Sequence, residues 1–300
     1  MASRSLLERL GFGPQERVVL LHADDLGMCH AANAAFAENL AFGITTCGAV
    51  MAPCPWFPEL AAYCREHPQA DVGVHVTLTS EWQQYRWRPL STRDPASGLL
   101  DEEGYLPHTV QELHARMDVN VAIAEIRAQV EWAIAAGIDV THLDTHMGAV
   151  GHPQLAAAYV QLGLEFRLPV MIPRLTQQQL VERGASPQVA ASLQRRIAEL
   201  EASGVLVLDH IRGLGLREDR DRERAARAGQ YRRAFAELPP GVTHFLYHPA
   251  RPGDEIMGIA GDWASRVADY QALLSVELRD YLAASGIHLI GYRRLRDLMR

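Results

Sequence analysis

The chain has no lysine: all 29 basic side chains among its 300 residues are arginines. That absence removes a Schiff-base lysine, a P-loop lysine and a kinase-type lysine in one stroke. Long apolar runs are also missing, and nothing approaches the roughly 18 residues that a membrane-spanning helix needs. The opening Met1–Arg17 carries Arg4, Glu8, Arg9, Glu16 and Arg17 with no apolar core, so it does not read as a signal peptide. Cysteine is scarce. Cys29, Cys47, Cys54 and Cys64 lack the C-x-x-C spacing of a zinc site and read as reduced thiols of a cytoplasmic protein. The net charge of -7 argues against nucleic acid or an anionic membrane as partner. What is present, 48% hydrophobic and 22% charged residues, suffices for a sizeable core.

Arg17–His22 is a continuous apolar run, the pattern of a strand buried on both faces. The spacing then predicts a helix over 31–41 ending near Gly43, a strand over 44–52, a helix over 57–67 and a strand over 71–78 with His75 inside it. From 79 to 118 the periodicity dissolves into a stretch with Trp82, Tyr85, Trp87, Pro89, Gly98 and Gly104, which reads as an ordered, lid-like excursion. A helix follows over 119–136, a strand runs into Thr141–Gly148, and a helix is expected over 152–164. Further strands are expected at 169–172, 205–210, 242–248 and 287–290. Between them lie helical patterns over 176–203 (broken near 184–187), 217–237, 263–284 and 293–300, of which 217–237 reads as a solvated, mixed-charge face.

Strands and helices alternate seven or eight times with no shift in composition, so 1–300 reads as one α/β domain with a parallel sheet. That many units most often close into a barrel. An open doubly wound sheet is the alternative, although no G-x-G-x-x-G follows the first strand.

Chemistry-bearing residues gather at the strand ends. Thr141–Gly148 holds His142, Asp144 and His146, which is either a ligand set for zinc and related ions or a hydrogen-bonded polar cluster. Asp24 and Asp25 end the first strand, where two carboxylates side by side call for a nearby positive charge, unless they cap the next helix. His75 lies between valines, and His248 precedes Pro249, which holds it extended. Any one of these histidines alone would pass for a satisfied core residue. Together, at the carboxyl ends of parallel strands, they would meet on one rim. His22 and His210 could also line that rim, and His152 starts a helix close by. His30, His67, His108, His114, His244 and His288 are background.

In order along the chain, His22-Ala23-Asp24-Asp25-Leu26-Gly27, Gly73-Val74-His75-Val76-Thr77-Leu78-Thr79, Thr141-His142-Leu143-Asp144-Thr145-His146 and His248-Pro249 resemble four blocks of the YdjC-like carbohydrate deacetylases, which include chitooligosaccharide deacetylases: N-A-D-D-F-G, G-x-H-x-x-L-T, T-H-x-D-S-H-H-H and H-P. The resemblance implies a distorted TIM-like barrel, one divalent metal ion (Mg2+ or Zn2+), and removal of acetyl groups from N-acetylated sugars. It makes Asp25, His75 and His146 the metal ligands, Asp24 the general base and His248 the general acid, and it makes a homodimer plausible. This chain departs from the blocks at His22 (for Asn), at Leu26 (for Phe) and at Met147-Gly148 (for the later histidines). The last departure leaves the ligands intact and puts the substrate in question.

The residues support the same chemistry without the resemblance. Two histidines and a carboxylate leave coordination positions open for water and a carbonyl oxygen, with Asp24 to take a proton and His248 to return one to the leaving amine. Asp144 and His142 would orient the ligands from behind. Trp82, Tyr85 and Trp87 could stack on a small carbohydrate with Arg86 and Arg88 as polar contacts, or could simply pack the lid. The rival readings are a metal-dependent hydrolase of phosphate esters or of a non-sugar amide, which as a two-metal site needs more ligands, and a sugar-binding barrel without turnover.

Overall fold

The computed structural model describes residues 5–182, 184–216 and 224–300. Among the described residues, seven parallel strands form one sheet: β1 (Arg17–Leu26), β2 (Cys47–Val50), β3 (Val72–Val76), β4 (Leu143–Thr145), β5 (His210–Gly213), β6 (Gly241–Tyr247) and β7 (Ile287–Leu289). Their order is β4-β3-β2-β1-β6-β5, with β7 paired to the start of β1. The ring closes between β4 and β5 through two single bridges, Leu143 to Val170 and Pro173 to Leu208. Backbone N–H groups of Met171 and Arg174 donate to Leu143 (2.9 Å) and Leu208 (2.7 Å) across these joints. The result is the distorted barrel of parallel strands that the alternation predicts, thinnest where the expected strand at 169–172 is reduced to bridges and the one expected at 205–210 bridges at Leu208 and begins as a strand only at His210.

β1 explains why the barrel needs a continuous apolar run. Val19, Leu21 and Ala23 face the outer helices, whereas Val18 and Leu20 turn inward to a second apolar cluster with Leu206, Leu208 and Val242 at the amino ends of the strands. Both faces are therefore buried, as parallel sheets require. Continuing the same alternation, His22 and Asp24 also face inward. Gly73 on β3 is required by this interior: a Cβ there would lie 2.5 Å from the His142 carbonyl oxygen and 2.6 Å from its ring.

Two further expectations change. The helix expected over 263–284 is two helices, Trp263–Ala272 and Val276–Ala284, divided where the Ser275 hydroxyl accepts from Leu278 N–H at the second amino end. Part of the mixed-charge stretch, 217–223, lies outside the described residues. The described part, Arg224–Ala236, is not merely a solvated helix, because it buries Arg227, Tyr231 and Phe235 at four-residue spacing. Arg227 Nε and Tyr231 OH both donate to Asp269 Oδ1 at 2.7 Å.

The excursion from 79 to 118 is ordered, held by its own side chains and by the helix that follows it, Val119–Ala135. Trp87 Nε1 donates to the Thr79 carbonyl (2.7 Å), and the buried Glu125 carboxylate accepts from the backbone N–H groups of Leu90 (3.0 Å) and Ser91 (2.7 Å). The four cysteines are buried and unpaired. No described helix is long and apolar enough to cross a membrane.

Candidate active site

β1 ends in a bulge. Its register against β2 slips between Ala23 and Leu26, and Asp25 takes a left-handed backbone with φ 61°. On an unbroken strand Asp24 and Asp25 would face opposite ways; the bulge turns both carboxylates towards the rim. Gly27 follows at φ 82°, where a Cβ would press on Val50 Cγ2 at 2.9 Å.

Asp25 meets two imidazoles delivered by other strands. Its Oδ1 lies 3.4 Å from His75 Nε2 on β3 and 3.2 Å from His146 Nδ1, just past β4. One ligand atom from each of the three lies within 4.8 Å of the others, and all three residues are buried. His75 is aimed from behind by Asp144, whose Oδ2 is 3.1 Å from Nδ1, an arrangement that leaves Nε2 facing Asp25. Burial opposes the charge on Asp25, yet Arg266 and the two histidines hold its carboxyl well below the usual range. Burial likewise opposes protonation of the imidazoles. Asp144, Asp25 and Asp24 nevertheless raise His75 well above its ordinary value, and Glu81 with Asp25 raises His146 to about 9. A buried pocket that retains protons on two imidazoles is one that stabilises cationic charge, and a divalent ion would take the protons' place. Two imidazole nitrogens and one carboxylate oxygen suit zinc and other catalytic divalent ions, so the donor set fits such a group.

Asp24 belongs to a different neighbourhood. Its Oδ1 is 2.6 Å from His22 Nδ1, and its Oδ2 is 3.8 Å from His248 Nε2. Burial, and then the Asp144 charge, push its carboxyl up to about 6. Burial lowers His248. Beneath them lies an interior layer of imidazoles where a barrel usually packs aliphatic chains. His22 Nε2 is 2.8 Å from His142 Nε2, the His142 ring stacks on Tyr292 at 3.8 Å, and His244 Nδ1 is 2.8 Å from Tyr292 OH. Burial drives His22 and His244 to about 4 and His142 well below its usual value, so the layer is neutral.

The structure thus brings together Asp24, Asp25, His75, Asp144, His146 and His248 around a cavity of about 760 Å³. His142 and His22 sit one layer below the rim, not on it. His210 is also off the rim, with its Nε2 at 3.0 Å from the Pro240 carbonyl oxygen. Of the five side chains expected to meet substrate, Trp82 lines the cavity, with the Arg266 guanidinium 5.7 Å from its ring centre. Tyr85, Arg86, Trp87 and Arg88 do not line it. Tyr85 OH donates to the Met28 carbonyl at 2.6 Å, and Arg86 is used up on Ser80, Asp101, His108 and the Leu106 carbonyl inside the excursion. Trp87 is buried there with them.

Sequence reasoning missed three participants. Arg266 Nη1 donates to Asp25 Oδ2 at 2.7 Å, and Glu81 Oε2 lies 3.0 Å from His146 Nε2. Nothing local marks either residue: Arg266 sits in a helix with ordinary helical spacing, and Glu81 in an aperiodic stretch. His244 was legible, because it lies two residues before Leu246 and four before His248, on the same strand face.

The family model described as YdjC-like protein matches residues 18–284. A carbohydrate deacetylase of Thermus thermophilus is 36% identical over 294 residues, covering 98% of this chain and 99% of the relative. Another, of Thermoanaerobacter pseudethanolicus, is 23% identical and covers 93% of this chain and all of the relative. A crystal structure from Enterococcus faecalis, described as a candidate cellobiose-phosphate cleavage protein, shares the fold with a TM-score of 0.72 at 21% identity, over 93% of this chain and 99% of that one.

Proposed function

Since the chain belongs to the YdjC-like family, we propose that it is a carbohydrate deacetylase, removing acetyl groups from N-acetylated sugars or oligosaccharides with one divalent ion, Mg2+ or Zn2+. The observation that carries the proposal is the meeting of Asp25, His75 and His146, from three separate strand ends, beside a second carboxylate that is not part of the set.

Asp25, His75 and His146 would hold the ion, which when bound polarises the acetamide carbonyl and acidifies water. The protein's own groups would handle the protons. Asp24, raised to about 6, is matched to accept a proton from water near neutral pH. His22 occupies one of its oxygens and leaves the other turned to His248. His248, with its pKa lowered by burial, would receive that proton and give it up readily to the departing amine. A single proton would then travel from water to amine along two residues. Trp82, with an indole N–H that is buried and unpartnered among the described residues, would contact the sugar.

Acetate release from N-acetylglucosamine oligomers by chelated protein, with and without added Mg2+ or Zn2+, tests the proposal; no acetate under any metal condition would defeat it. A second reading rests on His22, Asp24, Asp144 and His244, whose ligand atoms also lie within 4.8 Å of one another. Two ions per chain would favour hydrolysis of phosphate esters. In that set His22 and His244 lie below the rim, Asp24 Oδ1 is engaged by His22 and Asp144 Oδ2 by His75, which supports the one-ion reading.

A further inference from the structure

The cavity has two unlike halves. Asp24 and Asp25 of β1, His75 of β3, Glu81 and Arg266 form a charged half. Past Thr145 and His146 at the end of β4, and before His248 beyond β6, the remaining arc presents Met147, Met171, Pro173, Ile211 and Leu246. These five come from four consecutive positions around the ring: the turn after β4, the bridging segment, β5 and β6. None of their side chains carries a strong hydrogen-bonding group. A wall built to read only sugar hydroxyls would present polar groups, because those are what discriminate a hydroxylated ligand.

Met147 makes the point sharply. It is 62% exposed, and it is held on a left-handed turn (φ 53°) followed by Gly148 (φ 67°). An apolar side chain maintained at a cavity mouth at the cost of an unfavourable backbone is a functional feature more often than an accident. It also stands, with Gly148, where the resembling block carries histidines.

We infer that the substrate carries an apolar substituent close to the scissile amide, seated against Met147, Met171, Pro173, Ile211 and Leu246. This inference rests on the amide-hydrolase reading above. The substituent has two chemical sources, an acyl chain longer than acetyl or an apolar aglycone on the sugar.

Three substrates separate them: methyl N-acetyl-β-glucosaminide, its N-butyryl counterpart, and 4-nitrophenyl N-acetyl-β-glucosaminide. One of the two apolar compounds is expected to exceed the methyl acetyl compound in kcat/KM by about ten-fold or more. A butyryl preference assigns the wall to the acyl chain, and an aryl preference assigns it to the aglycone. In Met147→Gln, where an exposed side chain is changed at no risk to the core, and in Ile211→Asn, that ratio should fall towards one. Equal kcat/KM for all three, or a ratio unmoved in both variants, overturns the inference while leaving deacetylation intact. If no compound is turned over, calorimetric binding of the same three to the metal-loaded Asp24→Asn variant still decides. Equal affinities overturn the inference, and tighter apolar binding that Met147→Gln abolishes in the same background supports it apart from the activity.

Discussion

Removing the ion should give the protein a stability profile with two limbs, only one of which the ion can flatten. His146 has a folded pKa of about 9 against an ordinary 6.5. Its contribution is therefore complete below 6.5 and is lost as pH climbs through 9; His75 is shifted in the same direction. The gap for His146 alone corresponds to about 3 kcal/mol. In a chain of 300 residues that is roughly 5 °C in Tm. The acid limb has the opposite origin. His22 and His244, depressed from 6.5 to about 4, refuse protons that the unfolded chain accepts, so stability falls as pH drops from 6.5 through 4. Asp24, raised from 3.8 to about 6, loses stability as pH rises through that window and partly offsets the acid limb. Chelated protein should thus be most stable near pH 6.5. Saturating Mg2+ or Zn2+ replaces the protons on His75 and His146, so it should level the alkaline limb and leave the acid limb, whose histidines lie below the ion site. Calorimetric scans from about pH 4.5 to 9.5, in chelator and then in cation, read this directly. An alkaline limb that is absent in chelator, or that persists unchanged in saturating cation, would refute the placement of the ion on these two histidines.

Other expectations follow from single contacts. Asp24→Asn should keep metal binding, measured by calorimetry, and lose at least about 100-fold in kcat; full activity would remove Asp24 as the base. His22→Leu, which strips the partner 2.6 Å from Asp24 Oδ1, should lower kcat about 10–100-fold with KM little changed. His22→Asn, which restores a donor, should recover most of that loss, and equal loss in both variants would assign His22 to packing alone. Arg266→Met leaves Asp25 without its buried guanidinium and should cost about 3–5 kcal/mol in chelated protein by denaturant titration; a cost under about 1 kcal/mol would show that the pair is not coupled. Gly73→Ala forces a Cβ against the His142 carbonyl and ring, and should destabilise by about 1–3 kcal/mol.

Much of this molecule is legible without coordinates, for reasons that are local. A strand buried on both faces must be written as an unbroken apolar run, so β1 and β6 announce a parallel sheet. Ligand chemistry is equally local: histidines and aspartates at the ends of such runs carry their meaning with them. The structure brings Asp25, His75 and His146 within ligand distance of one another, as the strand ends suggest. The excursion was legible as an ordered element, but the use of its aromatics was not. Stacking on a sugar and packing a loop ask for the same residues, and only the fold separates Trp82, which lines the cavity, from Tyr85 and Trp87, which do not.

By itself, then, the sequence determined the alternating architecture, the side on which chemistry gathers, and the kinds of donor available there, because periodicity and donor type are properties of each segment alone. Only the tertiary structure decided that Asp25 turns left-handed so that two neighbouring carboxylates serve different partners, and that Arg266 and Glu81 complete the charge balance. It alone decided, too, that one arc of the mouth is apolar. Those outcomes depend on ring closure and strand register, which set the side chains sharing a space among segments that are distant in the chain and carry no local mark of one another.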